Sequence, residues 1–172
     1  CGFISMIKII LNFFISFFNE ILIFESKRNR KALKFKNYVL KKYKNKNQIK
    51  NSQINQYLKI SDKYLRFKKN QTLFVLYHNS RAVSTGWMSE NSNWLITEIN
   101  KNISRKKTII LYDFFTFPNY RNKGYYTKIL KLIKNFKTKK IFLIYSLKNN
   151  KKSCKGILKA QFVLKDKMRR LL

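Results

Sequence analysis

The sequence is poor in several residue types that usually mark folds and sites: its 172 residues include four glycines, one proline, two cysteines and one histidine. The two cysteines, Cys1 and Cys154, cannot form a disulfide framework and lack metal-ligand spacing, so we expect a reducing, cytoplasmic compartment and no metal. No GxGxxG, GKS or GKT sequence occurs, which excludes the common phosphate-binding signatures of dinucleotide and nucleoside triphosphate sites. Without internal repeats or a flexible linker, a chain of this length fits one domain.

Positive charge dominates the composition. Thirty-nine lysines and arginines oppose seven aspartates and glutamates, which gives a net charge of +32 and a pI near 10.4. This balance suits nucleic acid or an anionic membrane, but it also arises from a composition rich in lysine, asparagine and isoleucine throughout. The lysines are spread along the whole chain with asparagines beside them, which favours the second explanation. Nucleic acid is therefore not the expected partner.

The segment 3–25 is the main candidate for membrane contact, because it is apolar and long enough to span a bilayer, which takes roughly 20 residues. Its polar residues recur every three or four positions, in one narrow helical stripe: Ser5, Lys8, Asn12, Ser16 and Asn19. We expect a helix that packs into the core or against a partner. The alternative is a membrane-surface helix, helped by the basic run at 27–36. No small-residue cleavage site closes the segment, so a signal peptide is not expected.

The pattern divides the chain into a helical N-terminal region and a mixed core. Residues 27–69 stay polar, basic and helical in pattern, so 1–70 are expected to be a helical region of the same domain, with 71–172 as its core. Residues 94–103 are expected to add a short helix to that core. Four runs have the composition of strands: 72–77, 82–88, 108–117 and 141–146.

The second half of the core alternates strand, turn, helix, strand and helix, with the helices expected at 125–136 and 150–162. A right-handed unit of this kind makes the strands at 108–117 and 141–146 parallel neighbours with a helix across one face. The expected fold class is α/β (α+β mixed), a central mixed sheet flanked by helices. Ligands of open sheets gather at the carboxyl ends of such strands, where the turn 118–126 lies.

That turn, PNYRNKGYY, holds the only proline and one of the four glycines within seven residues. A helix that opens directly after a strand leaves backbone N–H groups unpaired at the positive end of its dipole, where an anion fits. Gly124 would let the backbone curl around a phosphate, and Arg121 and Lys123 would add positive charge at the rim. The alternative is an ordinary strand–helix turn with the cations found everywhere in this chain.

Two blocks, TFPNYRNKGYYTKIL and NKKSCKGILKAQF, resemble the cofactor-binding blocks of the GNAT superfamily of N-acetyltransferases. The residues that match the family pattern in order are Pro118, Tyr120, Arg121, Gly124, Asn150, Ser153, Lys159 and Phe162. The resemblance covers 72–162 and, more narrowly, is similar to acyltransferases encoded among surface-polysaccharide genes. It implies a GNAT-like sheet and transfer of an acyl group from acetyl-CoA, or a related acyl-CoA, to an amine of a small-molecule or sugar-like acceptor.

The resemblance also implies which residues hold the donor. Its pyrophosphate would bind the backbone amides of the turn, those of Arg121, Asn122, Lys123, Gly124, Tyr125 and Tyr126. The pantetheine arm would pair with the backbone of the preceding strand and touch the next helix, through Phe115, Thr116, Phe117, Asn150 and Ser153. An exposed N–H on the strand would stabilise the oxyanion.

Asp113 is the candidate catalytic base, because it is the only carboxylate of its strand and burial would raise its pKa towards a useful value. Alternatively, Asp113 pairs with a lysine, and Glu98 is a second candidate base. His78, the sole histidine, is expected to be a solvated turn residue. Trp87 and Trp94 are expected in the core, although either could line an acceptor pocket.

Three residues depart from the family pattern. Tyr126 replaces a glycine or alanine, and Gln161 replaces the glycine before Phe162. Ile157 stands where many members have the tyrosine that protonates the leaving thiolate, so either that acid is dispensable or activity is lost. The alternative function is a catalytically impaired GNAT-like fold that serves as a basic binding or membrane-associated module. Cys154 is expected to be a small core residue.

The sequence after 162 is short for this fold, which usually ends in two further strands. We expect either a truncated C-terminus or a neighbouring chain, as in a homodimer, that completes the sheet.

Overall fold

The structure is a computed structural model that describes residues 20–27, 32–91, 93–136 and 139–169. Its strands are β1 (Glu20–Ser26), β2 (Tyr38–Tyr43), β3 (Thr72–His78), β4 (Arg81–Ser89), β5 (Asn93–Ile96), β6 (Lys101–Ser104), β7 (Thr108–Thr116), β8 (Ile141–Leu147) and β9 (Val163–Arg169). Its α-helices are α1 (Ser52–Lys59), α2 (Tyr125–Ile133) and α3 (Lys151–Lys159), and 3-10 helices lie at Lys46–Gln48, Ile60–Lys69 and Pro118–Tyr120. The prediction of a mixed sheet flanked by helices is confirmed in this part of the chain.

Within the described residues, seven strands form one sheet in the order β2–β3–β4–β7–β8–β1–β9, and β5 pairs with β6 in a separate hairpin. In this sheet β7 and β8 run parallel and the other neighbours antiparallel. The middle residues of β7 and β8 are buried on both faces, which explains their continuous apolar runs: Ile109, Ile110, Leu111, Phe142, Leu143 and Ile144. The predicted strand–helix–strand unit is thus confirmed.

The two faces of the sheet carry different elements. Helices α2 and α3 cover one face, against which α2 buries Ile129 and Ile133. Helix α1, the 3-10 helix Ile60–Lys69 and the β5–β6 hairpin cover the other face, where α1 buries Ile54 and Leu58 and the hairpin buries Ile96. The point where β7 and β8 separate lies in the sheet, between these two layers.

Strand β1 lies inside the sheet, between β8 and β9. The predicted helix at 3–25 is therefore wrong over 20–25, and residues 3–19 lie outside the described residues. Ile21 and Ile23 are fully buried; an apolar run of this kind fits a buried strand as well as a helix, and pairing on both edges decides between them. β1 pairs with the edge of β8 that faces away from β7, and β9 pairs with the other edge of β1. Within the described residues, no helix has the length and apolarity needed to cross a bilayer.

Two other segments expected to be helical contain strands. β2 lies within 27–69, while α1 and the long 3-10 helix keep part of that prediction. The expected helix at 94–103 is the β5–β6 hairpin. The buried residues Ile96, Ile99 and Ile103 have the three- and four-residue spacing of a helical face, but the turn between the strands gathers them in one cluster.

Candidate functional site

The candidate site opens where β7 and β8 separate. Their parallel ladder joins Thr108–Leu111 to Ile141–Ile144 and goes no further. Beyond it β7 pairs with β4, across an irregularity where one extra β7 residue opposes β4, while β8 pairs with β1. Asp113 lies in this bulge with a φ of 46°, in the left-handed region. A bulge of this kind bends the strand, and here it accompanies the parting of β7 from β8.

A cavity of about 1370 Å³ passes through this parting. β7 lines it with Phe114 and Thr116, on the side of α2 and α3, and with Tyr112 and Asp113, on the side of α1 and the hairpin. We call the turn 120–127 the bend, and the first part of the cavity, lined by the bend except Lys123 and by α3, the bend end. The second part of the cavity, the hairpin end, is lined by the 3-10 helix Ile60–Lys69, the β5–β6 hairpin, Tyr112 and Asp113.

The bend carries a row of free backbone donors. Asn122 and Gly124 have φ values of 61° and 74°, so the chain alternates through left-handed positions before α2 begins. The Arg121 N–H donates to the Pro118 carbonyl (3.1 Å), whereas the N–H groups of 122–127 donate to no protein acceptor within the described residues. Such a concave row of N–H groups at the positive end of a helix is an anion-binding geometry.

The side chains of the bend leave this row open. Apart from its two chain neighbours, no heavy atom of the described residues lies within 4 Å of where a Cβ of Gly124 would stand, and its positive φ suits glycine. Arg121 Nε donates to the Thr116 carbonyl (3.3 Å) and Lys123 Nζ to the Asn119 carbonyl (3.2 Å), so both cations are tethered at the rim.

The backbone of β7 turns alternate residues towards the cavity. The Phe117 N–H donates to the Val83 carbonyl (3.2 Å), and the Phe115 carbonyl accepts from Ser84 Oγ (3.1 Å), so both groups face β4. Thr116 is turned the other way, towards Arg121. Of the three strand residues expected beside the pantetheine arm, only Thr116 lines the cavity. Phe114, which also lines it, was missed because the bulge at Asp113 shifts the alternation by one residue.

Two aromatic rings cross the bend end. The Phe114 and Tyr126 rings meet edge to face with centroids 5.4 Å apart. A Cβ on Gly86 would come within 2.2 Å of the Phe114 ring, and one on Gly156 within 2.6 Å of the Tyr126 ring. Two of the chain's four glycines therefore make room for these rings.

Tyr126 also joins α2 to α3. Its Oη is 3.2 Å from Ser153 Oγ, and burial raises the pKa of this phenol to about 12, although the hydrogen bond to Ser153 opposes the rise. Asn150 Oδ1 accepts from the Ser153 N–H (3.1 Å) and caps α3. The two predicted site residues of this region, Asn150 and Ser153, therefore line the cavity while bonded within the protein.

Asp113 faces the hairpin end and forms ion pairs with Lys63 and Arg66, the latter at 2.5 Å. Burial works to raise the pKa of Asp113, but the hydrogen bonds and charges of these two cations outweigh it and hold the pKa below its ordinary value. The expectation of a raised pKa is wrong, because the 3-10 helix that supplies both cations was not foreseen beside this strand. The alternative, pairing with a lysine, is what the structure has.

The hairpin end combines aromatic rings with polar groups. The Trp94 and Tyr112 rings lie 4.5 Å apart, and Trp94 Nε1 donates to Tyr145 Oη (3.3 Å). Burial raises the pKa of Tyr112, whose hydroxyl donates to Gln71 Oε1 (2.5 Å). Glu98, the second candidate base, lies in the turn of the hairpin rather than on a helix and lines the cavity.

The predicted site residues come together with few exceptions. All but Phe115, Phe117 and Lys123 line the cavity. Among the described residues, no three His, Cys, Asp or Glu side chains group in a metal-binding arrangement.

The other singled-out residues lie elsewhere. Trp87 and Ile157 are fully buried, and Cys154 packs at the core. His78 is not a solvated turn residue: it ends β3, stacks on Tyr38 and lies 2.9 Å through Nδ1 from Tyr125 Oη.

Solved structures with the same fold include GNAT acetyltransferases. A GNAT-family acetyltransferase from Colwellia psychrerythraea gives a TM-score of 0.52 at 14% identity, over 85% of this chain and 53% of its own. A candidate GNAT-family acetyltransferase from Novosphingobium aromaticivorans DSM 12444 gives 0.55 at 9% identity, over 87% of this chain and 61% of its own. A conserved protein of unknown function from Staphylococcus epidermidis ATCC 12228 gives 0.56 at 11% identity, over 87% and 59%.

These likenesses establish the GNAT fold for the chain, and at such identities they establish the fold alone. The chain spans less than two thirds of the length of each of these proteins. Protein-family models and curated proteins give no match.

Proposed function

We propose that the chain is an acyltransferase that moves an acetyl or related acyl group from acyl-CoA to an amine of a small, sugar-like acceptor. The observation that carries this proposal is the row of free amides at 122–127, which opens onto the cavity where β7 and β8 separate. The fold supports it by analogy, because similar structures include GNAT acetyltransferases.

The bend end fits a diphosphate that carries a pantetheine arm. The amides of 122–127 would hold the diphosphate, since several N–H donors and the positive end of α2 converge there. The arm would continue into the gap along Thr116, whose backbone faces away from β4, once Arg121 releases the Thr116 carbonyl. Acyl-CoA bound in this way would supply an acyl group already activated as a thioester.

The opening between β7 and β8 also offers a backbone N–H group that could stabilise the negative charge that develops on the thioester carbonyl oxygen during transfer. Within the described residues, no strand pairs with β7 beyond the bulge on the side of β8, so the Thr116 N–H, which faces away from β4, would be open to the cavity. A fixed N–H in a partly dry cleft stabilises a developing oxyanion better than water does. We expect this part of β7 to bind the carbonyl oxygen as the acceptor attacks.

Asp113 keeps a role as the candidate catalytic carboxylate at the hairpin end. Because its pKa is lowered, it stays ionised at neutral pH and is a weak proton acceptor. An amine acceptor would therefore have to lose its proton to water before it attacks. The carboxylate would then orient the amine, once it exchanges one of its bonds to Lys63 or Arg66 for the acceptor.

The hairpin end supports a sugar-like acceptor, of the kind expected for an enzyme encoded among surface-polysaccharide genes. The half-buried Trp94 and Tyr112 rings offer apolar faces, and Gln71 and Glu98 offer polar atoms beside them. An amino sugar has both an apolar ring face and hydroxyl and amine groups that suit such a wall.

The test is a calorimetric titration with coenzyme A, followed by release of free thiol from acetyl-CoA in the presence of a panel of amino sugars. Gly124→Glu places a carboxylate at the anion site, so we expect CoA affinity to fall by about 100-fold or more. Gly124→Gln is the matched control, because glutamine has the size and the left-handed strain of glutamate without its charge, and it should lose less than about fivefold. Wild-type CoA affinity in Gly124→Glu would remove the bend from the site.

A second candidate function is a GNAT-like binding module without catalysis. Ile157 favours it, because this side chain is buried in the core and offers no proton to a leaving thiolate. A thiol of pKa about 8.5 has a thiolate stable enough to leave without that proton, which favours the catalytic function over the binding module. The thiol-release assay separates the two functions, since a module would bind CoA and release no thiol with any acceptor.

A further inference from the structure

The two ends of the cavity differ in charge. The cations that line the bend end are Arg121, Lys152, Lys155 and Lys159, and no carboxylate lines that end within the described residues. At the hairpin end, Arg66 and Lys69 are balanced by Glu98 and Asp113. Among the described lining residues, the excess of positive charge is therefore at the bend end, which also carries the free amides.

Three of these cations form a row along α3. Lys152, Lys155 and Lys159 are spaced by three and four residues, so they share one helical face over about 10 Å. All three are exposed, and none forms an ion pair or hydrogen bond within the described residues. The charges of the row do not stabilise α3, because like charges at this spacing repel and the first turn of α3 contains no acidic residue to offset them.

The bend and the α3 row are two separate groups of donors. The bend offers main-chain N–H groups, which suit a diphosphate held in one orientation. The row offers flexible ammonium groups, which suit a phosphate monoester with close to two negative charges at neutral pH. A ligand that carries both a diphosphate and a phosphate monoester would use both walls of the cleft.

We propose that Lys152, Lys155 and Lys159 form a phosphate-monoester subsite on α3, which on coenzyme A binds the 3′-phosphate of the ribose. This proposal rests on the function proposed above, since it assigns a further contact to the same donor. It predicts that the chain recognises the 3′-phosphate. CoA should therefore bind more tightly than dephospho-CoA, which lacks only that group.

The test compares CoA and dephospho-CoA by isothermal titration calorimetry at one fixed salt concentration. We expect the wild type to prefer CoA by about tenfold or more. The triple variant Lys152→Gln/Lys155→Gln/Lys159→Gln should bind dephospho-CoA within about twofold of the wild type and lose the preference for CoA. Its melting temperature should be unchanged or higher, because repelling charges are removed from α3.

A matched triple variant controls for the loss of charge. Lys50, Lys59 and Lys68 are exposed and lie outside the cavity, so Lys50→Gln/Lys59→Gln/Lys68→Gln removes the same charge elsewhere. This control should keep the preference for CoA; an equal loss in both triple variants would overturn the subsite, as would equal binding of the two ligands by the wild type. If neither ligand binds the wild type, the proposed function itself fails, whereas equal binding removes only the α3 subsite.

Discussion

The bend end and the hairpin end of the cavity are made of different parts of the polypeptide. At the bend end the donors are main-chain N–H groups of 122–127, which have no protein acceptor within the described residues. At the hairpin end the polar groups are side chains that bind one another. The pairs are Asp113 with Lys63 and Arg66, Tyr112 with Gln71, and Trp94 with Tyr145.

This difference indicates how a ligand would bind at each end of the cavity. Donors at the start of a helix lie ahead of the first helical hydrogen bonds, so they bind water or a ligand and need no rearrangement to do so. A side-chain network that is already satisfied must exchange its bonds before it accepts a ligand, which costs affinity. We therefore expect the diphosphate of the donor to bind at a preformed row of amides, and the acceptor to bind more weakly, with rearrangement.

The largest effect on stability is expected where the Phe114 ring, which lines the bend end, packs on Gly86. In Gly86→Ala, the new Cβ would stand 2.2 Å from the Phe114 ring, so the ring or the central strand must shift. We expect the free energy of unfolding to fall by about 2–3 kcal/mol, as measured by denaturant titration. CoA affinity should also fall, because the displaced ring moves against Tyr126 within the cleft.

A second substitution checks that the ring is the cause. Phe114→Leu removes the clashing atoms, so the double variant Gly86→Ala/Phe114→Leu should be more stable than the two single changes predict by addition. Wild-type stability of Gly86→Ala would mean that the ring does not pack on this glycine.

The next effect is expected at the hairpin end, from the ion pairs of Asp113. Asp113→Asn keeps a residue that tolerates the left-handed conformation but leaves Lys63 and Arg66 without their carboxylate. At pH 7 we expect a loss of about 2 kcal/mol in the free energy of unfolding. CoA affinity should be unchanged, because the bend end does not use this side chain.

The pKa of Asp113 determines how the stability difference between wild type and Asp113→Asn changes with pH. The pKa of Asp113 in the folded protein is below its ordinary value of 3.8, so the stabilisation is complete above that value and is lost as the pH falls through the folded pKa. The stability difference between wild type and Asp113→Asn should therefore shrink in strong acid. A difference that stays constant from pH 7 to pH 2 would show that the ion pairs are not its source.

The bend end could be anticipated from the sequence because its geometry needs particular residues. Pro118 ends a β-prone run, Gly124 takes a left-handed position, and the apolar face of α2 follows at helical spacing. These are local signals, and the central strands β7 and β8 are equally local, since burial on both faces makes them continuously apolar. The turn, both strands and α2 were accordingly placed within a few residues.

The hairpin end could not be anticipated, because its side chains come from separate segments whose pairing leaves no local pattern. Lys63 and Arg66 lie about fifty residues before their partner Asp113. The isoleucine spacing of the β5–β6 hairpin imitates a helix, and the place of β1 depends on the open edge of β8 rather than on its own residues. The bulge that exposes Phe114 also leaves no signal in the composition of β7.

The smallest effect is expected at the far end of α3, the helix that supplies the second wall of the bend end. Gln161 closes this helix with a φ of 62°, a left-handed position that glycine usually occupies after a helix. Gly124 has a similar φ of 74° at the start of α2, where glycine adopts this conformation without strain. Gln161→Gly should relieve the strain and leave CoA affinity unchanged, because Gln161 does not line the cavity.

For Gln161→Gly we expect a gain of about 1 kcal/mol in the free energy of unfolding, or about 2–4 °C in Tm, measured by thermal and denaturant unfolding. The backbone contacts of this position, from Lys134 and Ser26 to the residue 161 carbonyl, need no side chain and survive the change. Gln161→Asn should gain a smaller amount and Gln161→Ala none, because alanine has the same Cβ penalty as glutamine. Equal stability of the glycine and alanine variants would show that the helix end is not strained, and the contrast with Gly124 would then rest on the anion site alone.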